Sequence, residues 1–190
     1  DSRALEALSA LLGLGEGSVL NYRLRDQERV IRSEETGFVA DDRFGYFLIR
    51  AAMDPDAIDR GQIAVLTEIE LLKRREPAES EWARAIALLE MEYWKRLDTV
   101  TGRAESLARC DALGDWRARD RYVSDLKKVT SSDITRVAKK YLRLDACALL
   151  EYLPVAGLEQ RNPTAAGIRS TLEGLLKPAT DQQQDKREKA

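Results

Sequence analysis

Between residues 30 and 53 the apolar residues of this chain change period, and that switch decides the fold class. On either side they recur every three or four positions, the spacing of helices with one buried face. Within it, two runs, 30–40 and 44–53, flank the polar triplet Asp41-Asp42-Arg43. In the second run Phe44, Tyr46, Leu48 and Arg50 fall on one face, and Gly45, Phe47, Ile49 and Ala51 on the other. Aromatic and branched residues around a short polar turn predict a β-hairpin. The first run is unusually polar at Arg32, Ser33, Glu34, Glu35 and Thr36. That strand therefore needs a side turned to solvent or to a cavity.

Helical stripes surround the hairpin. Leu5, Leu8, Leu11 and Leu12 predict a helix over 2–12, which Ser2 can cap. Gly13 to Gly17 break it, and Ser18 can cap a second helix to about Glu28, with Leu20 and Leu24 on one face. Asp54-Pro55 starts another, with a buried stripe of Ile58, Val65, Ile69 and Leu72 to about Arg74. Trp82, Ala85, Ile86, Leu89, Tyr93 and Leu97 give the strongest amphipathic pattern, over 79–97. Helices are expected over 100–113 and 116–127. Thr130-Ser131-Ser132-Asp133 is a capping signal for one carrying Ile134, Val137, Ala138, Tyr141 and Leu142 on one face.

The run "DACALLEYLP", 145–154, predicts a buried strand ended by Pro154. Helices grouped on one side of a mostly antiparallel sheet make the α+β class. Three strands are few for so many helices, so one or more are expected ahead of Asp1. The division expected is one domain over 1–154 and a linker or tail over 155–190. The tail holds a short helix at 164–176, spaced by Ala165, Ile168, Leu172 and Leu175, and then the polar "PATDQQQDKREKA".

Composition excludes several chemistries. The 190 residues contain no histidine, which removes the commonest general base, the usual partner of serine or cysteine nucleophiles and the commonest zinc ligand. Cys110 and Cys147 are too few and too distant for a zinc knuckle, and the sequence leaves open buried thiols or a disulfide. A net charge of −2 shows no basic surplus for nucleic acid. No apolar run approaches the roughly 18 residues of a membrane span. The chain opens in helix without methionine or signal peptide, as expected of a piece of a longer polypeptide, so any targeting signal is left outside it.

The motifs that could carry chemistry mostly read as structure. "GLGEGS" lacks the preceding strand and the following lysine of phosphate loops, and reads as a helix-to-helix turn. Glu34-Glu35, Asp41-Asp42 and Glu68 with Glu70 are neighbours that diverge on strand or helix, and are expected on solvated faces. The basic clusters at 71–77 and 127–143 are offset by nearby acids and read as solvated helix faces. Trp82, Trp94 and Trp116 sit in helical patterns and are expected to pack.

The order of these motifs resembles one family. "DSRAL…LLGLGEGSVLNYRLRD" is similar to the opening of the C-terminal half-unit of the insulinase/pitrilysin/mitochondrial processing peptidase family of zinc metallopeptidases. That pattern is roughly D-x-x-A-L, then L-G-G-G-x-S-S-R-L-x-x-x-L-R-E. Asp1, Ala4, Leu5, Leu12, Gly13, Gly15, Ser18, Leu20, Leu24 and Arg25 fit it; Leu14, Gly17 and Val19 depart. "EPAESEWARA" (76–85) and "VTSSDITRVAKKYL" (129–142) resemble two further family segments, and the resemblance covers about residues 1–154.

The resemblance implies α+β half-units paired into a chamber for unfolded peptides. Its zinc site, an inverted H-x-x-E-H motif plus a distal glutamate, lies in the half-unit that precedes this one. It also implies a substrate-anchoring pair, an arginine and a tyrosine seven residues on. Arg25 matches the arginine, but Arg32 stands at the tyrosine position. A guanidinium brings a fixed charge and a fork of donors where the phenol brings one donor on an aromatic platform. The pair is broken, so this half-unit is expected in the same lobe as the zinc motif.

Three readings follow. The first is a non-catalytic, substrate-chamber domain of a zinc metallopeptidase: no catalytic or metal residue here, Arg25 as substrate-binding residue, and zinc in the parent protein. Its partners are a zinc-binding half-unit and a peptide, with neither nucleic acid nor membrane span. The second is a domain of a proteolytically inactive homologue acting as a scaffold. The third is an unrelated helical binding module.

Overall fold

The computed structural model describes residues 1–41, 44–153 and 165–175. The order is helix α1 (Ser2–Gly13), a π-helical turn (Asn21–Gln27), strands β1 (Ser33–Ala40) and β2 (Gly45–Ala52), and a 3-10 turn (Pro55–Ala57). Helices α2 (Ile58–Arg74), α3 (Glu79–Leu97), α4 (Val100–Ala112), α5 (Ala118–Leu126) and α6 (Ser131–Tyr141) follow, then a second 3-10 turn (Leu144–Ala146) and α7 (Ala165–Leu175). This is an α+β fold with a two-stranded antiparallel sheet among the described residues.

The hairpin pairs Ser33 with Ala52 through Ala40 with Gly45. Side chains opposite one another share a face. Glu34, Thr36 and Phe38 therefore lie with Ala51, Ile49 and Phe47 on the side toward the helices, and the apolar members pack against the core. The other side is polar where it can be: Glu35 and Arg50, directly opposite, form a 3.0 Å ion pair.

Helix α1 is the centre. Leu8, Leu11 and Leu12 are fully buried, and α1 packs on α3, β1, α6 and α5. Its near-complete burial follows from its composition, since the only charged side chains in Ser2–Gly13 are Arg3 and Glu6, which pair with each other at 2.9 Å. Asp1 ties the start of α1 to the end of α6. Its carboxylate accepts from Arg136 Nη1 at 2.7 Å, Lys140 Nζ at 2.8 Å and Tyr141 Oη at 2.8 Å. Thr130 and Asp133 cap α6 reciprocally, each side chain accepting from the other's backbone N–H.

Some expectations need correcting. The strand expected over 145–154 is a 3-10 turn followed by an unladdered segment to Leu153, with Pro154 outside the described residues. Assigning a strand on apolar content alone presumes a neighbour to bond with, and the described residues offer none there. The helix expected after Ser18 widens into a π-turn. Of the tryptophans, Trp82 packs against the core, while Trp94 and Trp116 are exposed, the latter under the Arg117 guanidinium at 4.4 Å. Cys110 and Cys147 carry no disulfide, and Cys147 is exposed. Glu68 is buried, its carboxylate paired with Arg23 at 2.8 Å, and is not on a solvated face. Burial raises its pKa against the pull of that arginine.

The short helix of the tail exists as α7. It packs on α2 and buries Leu172. Residues 154–164 and 176–190, which complete the tail expected from sequence, lie outside the described residues.

Candidate functional site

The glycine turn and the helix after it gather the polar groups that set this chain apart from a plain packing unit. α1 ends at Gly13, Leu14 is extended, and Gly15 takes a left-handed φ of 80° that lets the chain reverse. The turn serves as a helix-to-helix connection, as its sequence predicts. The following helix then widens: the Glu28 N–H reaches back to the Arg23 carbonyl at 2.9 Å, an i to i−5 bond. Arg29, with φ of 53°, ends it and turns the chain toward the hairpin.

Arg25 sits in the last turn of this π-segment. Its Nε donates to Asp26 Oδ1 at 2.8 Å, and its Nη2 donates to Glu16, the residue between Gly15 and Gly17. The Asp26 bond and then the Glu16 bond hold the guanidinium above its ordinary pKa, and the Arg25 bond holds Asp26 below its own. Arg32 has a different partner. Its backbone N–H joins the hairpin through Ala52 O at 2.7 Å, and its guanidinium pairs with Asp54. The two arginines singled out by the sequence are thus engaged by separate carboxylates.

Beneath the turn lies a cluster that sequence reading misses. Glu34 points inward from β1, and its Oε1 accepts from Asn21 Nδ2 at 2.7 Å. The same amide nitrogen donates to the Gly15 carbonyl at 3.2 Å, so Asn21 joins turn to strand. Thr36 adds a second tie, its hydroxyl donating to the Ser9 carbonyl at 2.8 Å. On the other flank, Arg84 of α3 donates from Nη1 to the Leu14 carbonyl at 3.1 Å.

Three buried polar atoms here have no hydrogen-bond partner: Ser18 Oγ, Glu34 Oε2 and Arg84 Nη2. Burial pushes the Glu34 carboxyl up to about 7. The Ser18 hydroxyl and the Arg25 charge pull it down, and Glu35 pushes it further up. Ser18 is near enough to act on the carboxyl but is not aligned for a full hydrogen bond with it. Glu34 can therefore hold or release a proton near neutrality. No group of three or more histidine, cysteine, aspartate or glutamate residues that could hold a metal ion occurs among the described residues.

A sequence signal for Glu34 does exist. Phe38 must face the core, and strand parity places Thr36 and Glu34 on the same side. Ser18, Asn21 and Arg84 carry no such signal, because their roles depend on how the turn seats against β1 and α3.

Comparison with known proteins follows the same geometry. Residues 1–89 match the family model described as the peptidase M16 inactive domain. A protease from Helicobacter pylori is similar over 75% of this chain and 35% of its own, at 25% identity and a TM-score of 0.68. The inactive peptidase domain of a candidate zinc protease from Bordetella parapertussis is similar over 82% of this chain and 86% of its own, at 17% identity and a TM-score of 0.66, which shows a shared fold. A conserved protein from Enterococcus faecalis V583 is similar over 74% of this chain, at 20% identity and a TM-score of 0.65. The chain spans about a third of the Helicobacter and Enterococcus chains, at 35% and 33%. No curated protein matches it. Through its first 89 residues the chain belongs with the peptidase M16 inactive domains, carried on the C-terminal half-unit fold of that family.

Proposed function

We propose that this chain is the non-catalytic, substrate-chamber domain of a zinc-dependent metallopeptidase that degrades or processes peptides, with the zinc motif on a half-unit upstream in the parent protein. The observation that carries this reading is a sequence without histidine matching the M16 inactive domain. Such a chain cannot supply an H-x-x-E-H motif and contributes shape and charge instead. Within it, Arg25 is the residue offered to a peptide. Glu16 and Asp26 orient the guanidinium at the rim of the glycine turn, where a peptide carbonyl or carboxylate could replace one of them.

The experiment is a metal and activity assay on the 190-residue chain and on the polypeptide that includes the upstream half-unit. The chain alone should neither hold stoichiometric zinc nor cleave peptides, and the longer polypeptide should do both. Tight zinc with chelator-sensitive proteolysis by the chain alone would overturn the reading.

One observation favours a second reading, a proteolytically inactive parent in which this domain is a scaffold. Arg32 replaces the tyrosine of the anchoring pair, and its guanidinium is taken by Asp54. A longer polypeptide with neither the upstream H-x-x-E-H motif nor zinc would decide for the scaffold.

A further inference from the structure

Residues 147–153, Cys-Ala-Leu-Leu-Glu-Tyr-Leu, are the least satisfied apolar segment among the described residues. The chain leaves the second 3-10 turn with Cys147 extended, at φ −106° and ψ 133°. It joins no helix, turn or ladder as far as Leu153. From Leu150 burial alternates: Leu150 is 89% exposed and Tyr152 97%, while Glu151 and Leu153 between and after them are half-buried. Glu151 Oε1 accepts a 2.7 Å bond from Gln62 Nε2, which holds that face on α2. A period of two with one face laid on a helix is how a strand sits in a sheet backed by helices.

Isolated exposed leucines or tyrosines need no explanation, but a strand-like main chain without a ladder is a ready template for another strand. What would lie beside it follows from the other end of the chain. The Asp1 carboxylate is bound by Lys140 and Tyr141 in the last turn of α6. From that turn the backbone runs through Leu142 to Ala146 directly into the segment. Any polypeptide entering α1 through Asp1 therefore passes the root of residues 147–153.

We propose that residues 147–153 form a sheet edge that pairs with the extended strand by which a preceding half-unit of the same polypeptide runs into Asp1. This rests on the reading that a half-unit lies upstream. The partner strand supplies main-chain hydrogen bonds to alternate residues of the segment. It also supplies cross-strand side chains that cover Leu150 and Tyr152 from the side. Its own residues facing α2 must be apolar, because that face is the helix-backed one. The pairing fixes the register between the two half-units at the point where Asp1 is already clamped.

The test is amide hydrogen exchange on the 190-residue chain and on the polypeptide extended through the upstream half-unit. Reaction of the exposed Cys147 thiol with a disulfide reagent gives a second readout. Expected is slowing of alternate amides within 148–153 by about 100-fold in the extended polypeptide, as a monomer by sedimentation, with slower Cys147 labelling. Equal exchange in both proteins overturns the proposal. So does protection that appears only with self-association, since the occupant is then a second copy. Zinc content of the same extended polypeptide reads the functional proposal separately: a protected edge without zinc removes the peptidase reading alone, and zinc with an unprotected edge removes this inference alone.

Discussion

At the scale of single residues, Glu34 is where a polar side chain sits against the fold's own preferences. Its carboxyl is pushed up to about 7 from an ordinary 4.5, so the folded state binds its proton more tightly than the unfolded chain does. The linkage has one sign. The contribution to stability is full below about pH 4.5 and is lost as pH rises to about 7, where it levels off. The lowered carboxylates, such as Asp26 and Asp133, act the other way at lower pH, and Glu68 acts in the same direction as Glu34. Comparing Glu34→Gln with the unaltered protein isolates the one group. Urea unfolding at about pH 4.5, 5.5, 6.5 and 7.5 should show the unaltered protein losing about 1–2 kcal/mol relative to the variant across that range, after discounting for partial exposure. Parallel curves would place the Glu34 carboxyl at an ordinary value. Next to it, Gly13 leaves no room: a Cβ there would lie 2.3 Å from Thr36 Oγ1 and 2.4 Å from Glu34 Oε2. Thr36 is held by its bond to the Ser9 carbonyl and cannot yield cheaply. Gly13→Ala should therefore destabilise by roughly 1–3 kcal/mol in the same unfolding assay.

At the scale of elements, local chemistry decides ends, and neighbours decide everything else. The Thr130 cap shows the first. Its hydroxyl accepts from the Asp133 N–H at 3.2 Å while Asp133 Oδ2 accepts from the Thr130 N–H at 3.2 Å. Thr130→Ala should cost about 1 kcal/mol in thermal or urea unfolding, and Thr130→Ser should restore most of it. Equal losses in both variants would mean that the threonine methyl, not the cap, matters. That box is legible in Thr130-Ser131-Ser132-Asp133 alone, as are the hairpin around Asp41 and the long α3 in their own stretches, because each is written in contiguous residues. The π-segment is not. An i to i−5 bond leaves no local signature at Leu20 and Leu24, which suit an α-helix equally well. Residues 145–154 mislead for a related reason: their apolar content is that of a strand, but a strand exists only with a neighbour. The same limit governs the candidate site. Arg25 is legible through motif order, whereas Ser18, Asn21, Glu34 and Arg84 meet only because the glycine turn seats between β1 and α3.

At the scale of the whole molecule, the packing has a centre and an annex. Helix α1 touches α3, β1, α5 and α6, and Leu8 and Leu11 are fully enclosed among them. Helix α7 packs on α2 and buries Leu172 there. A cavity at Leu8 therefore weakens every layer at once, while a cavity at Leu172 weakens one contact between two helices. Leu8→Ala should lower global stability by about 2–5 kcal/mol, seen as one shifted urea transition with an unchanged slope. Leu172→Ala should leave that transition nearly in place and instead speed amide exchange within Ala165–Leu175, because the annex opens by itself. The pair of variants decides whether α7 belongs to the cooperative unit: a global loss from Leu172→Ala similar to that from Leu8→Ala would make α7 part of the half-unit. In that case the boundary expected near residue 154 moves to the far side of α7. The segment 147–153 would then be held between two packed elements, α6 before it and α7 after it, with its edge presented to the strand that enters through Asp1.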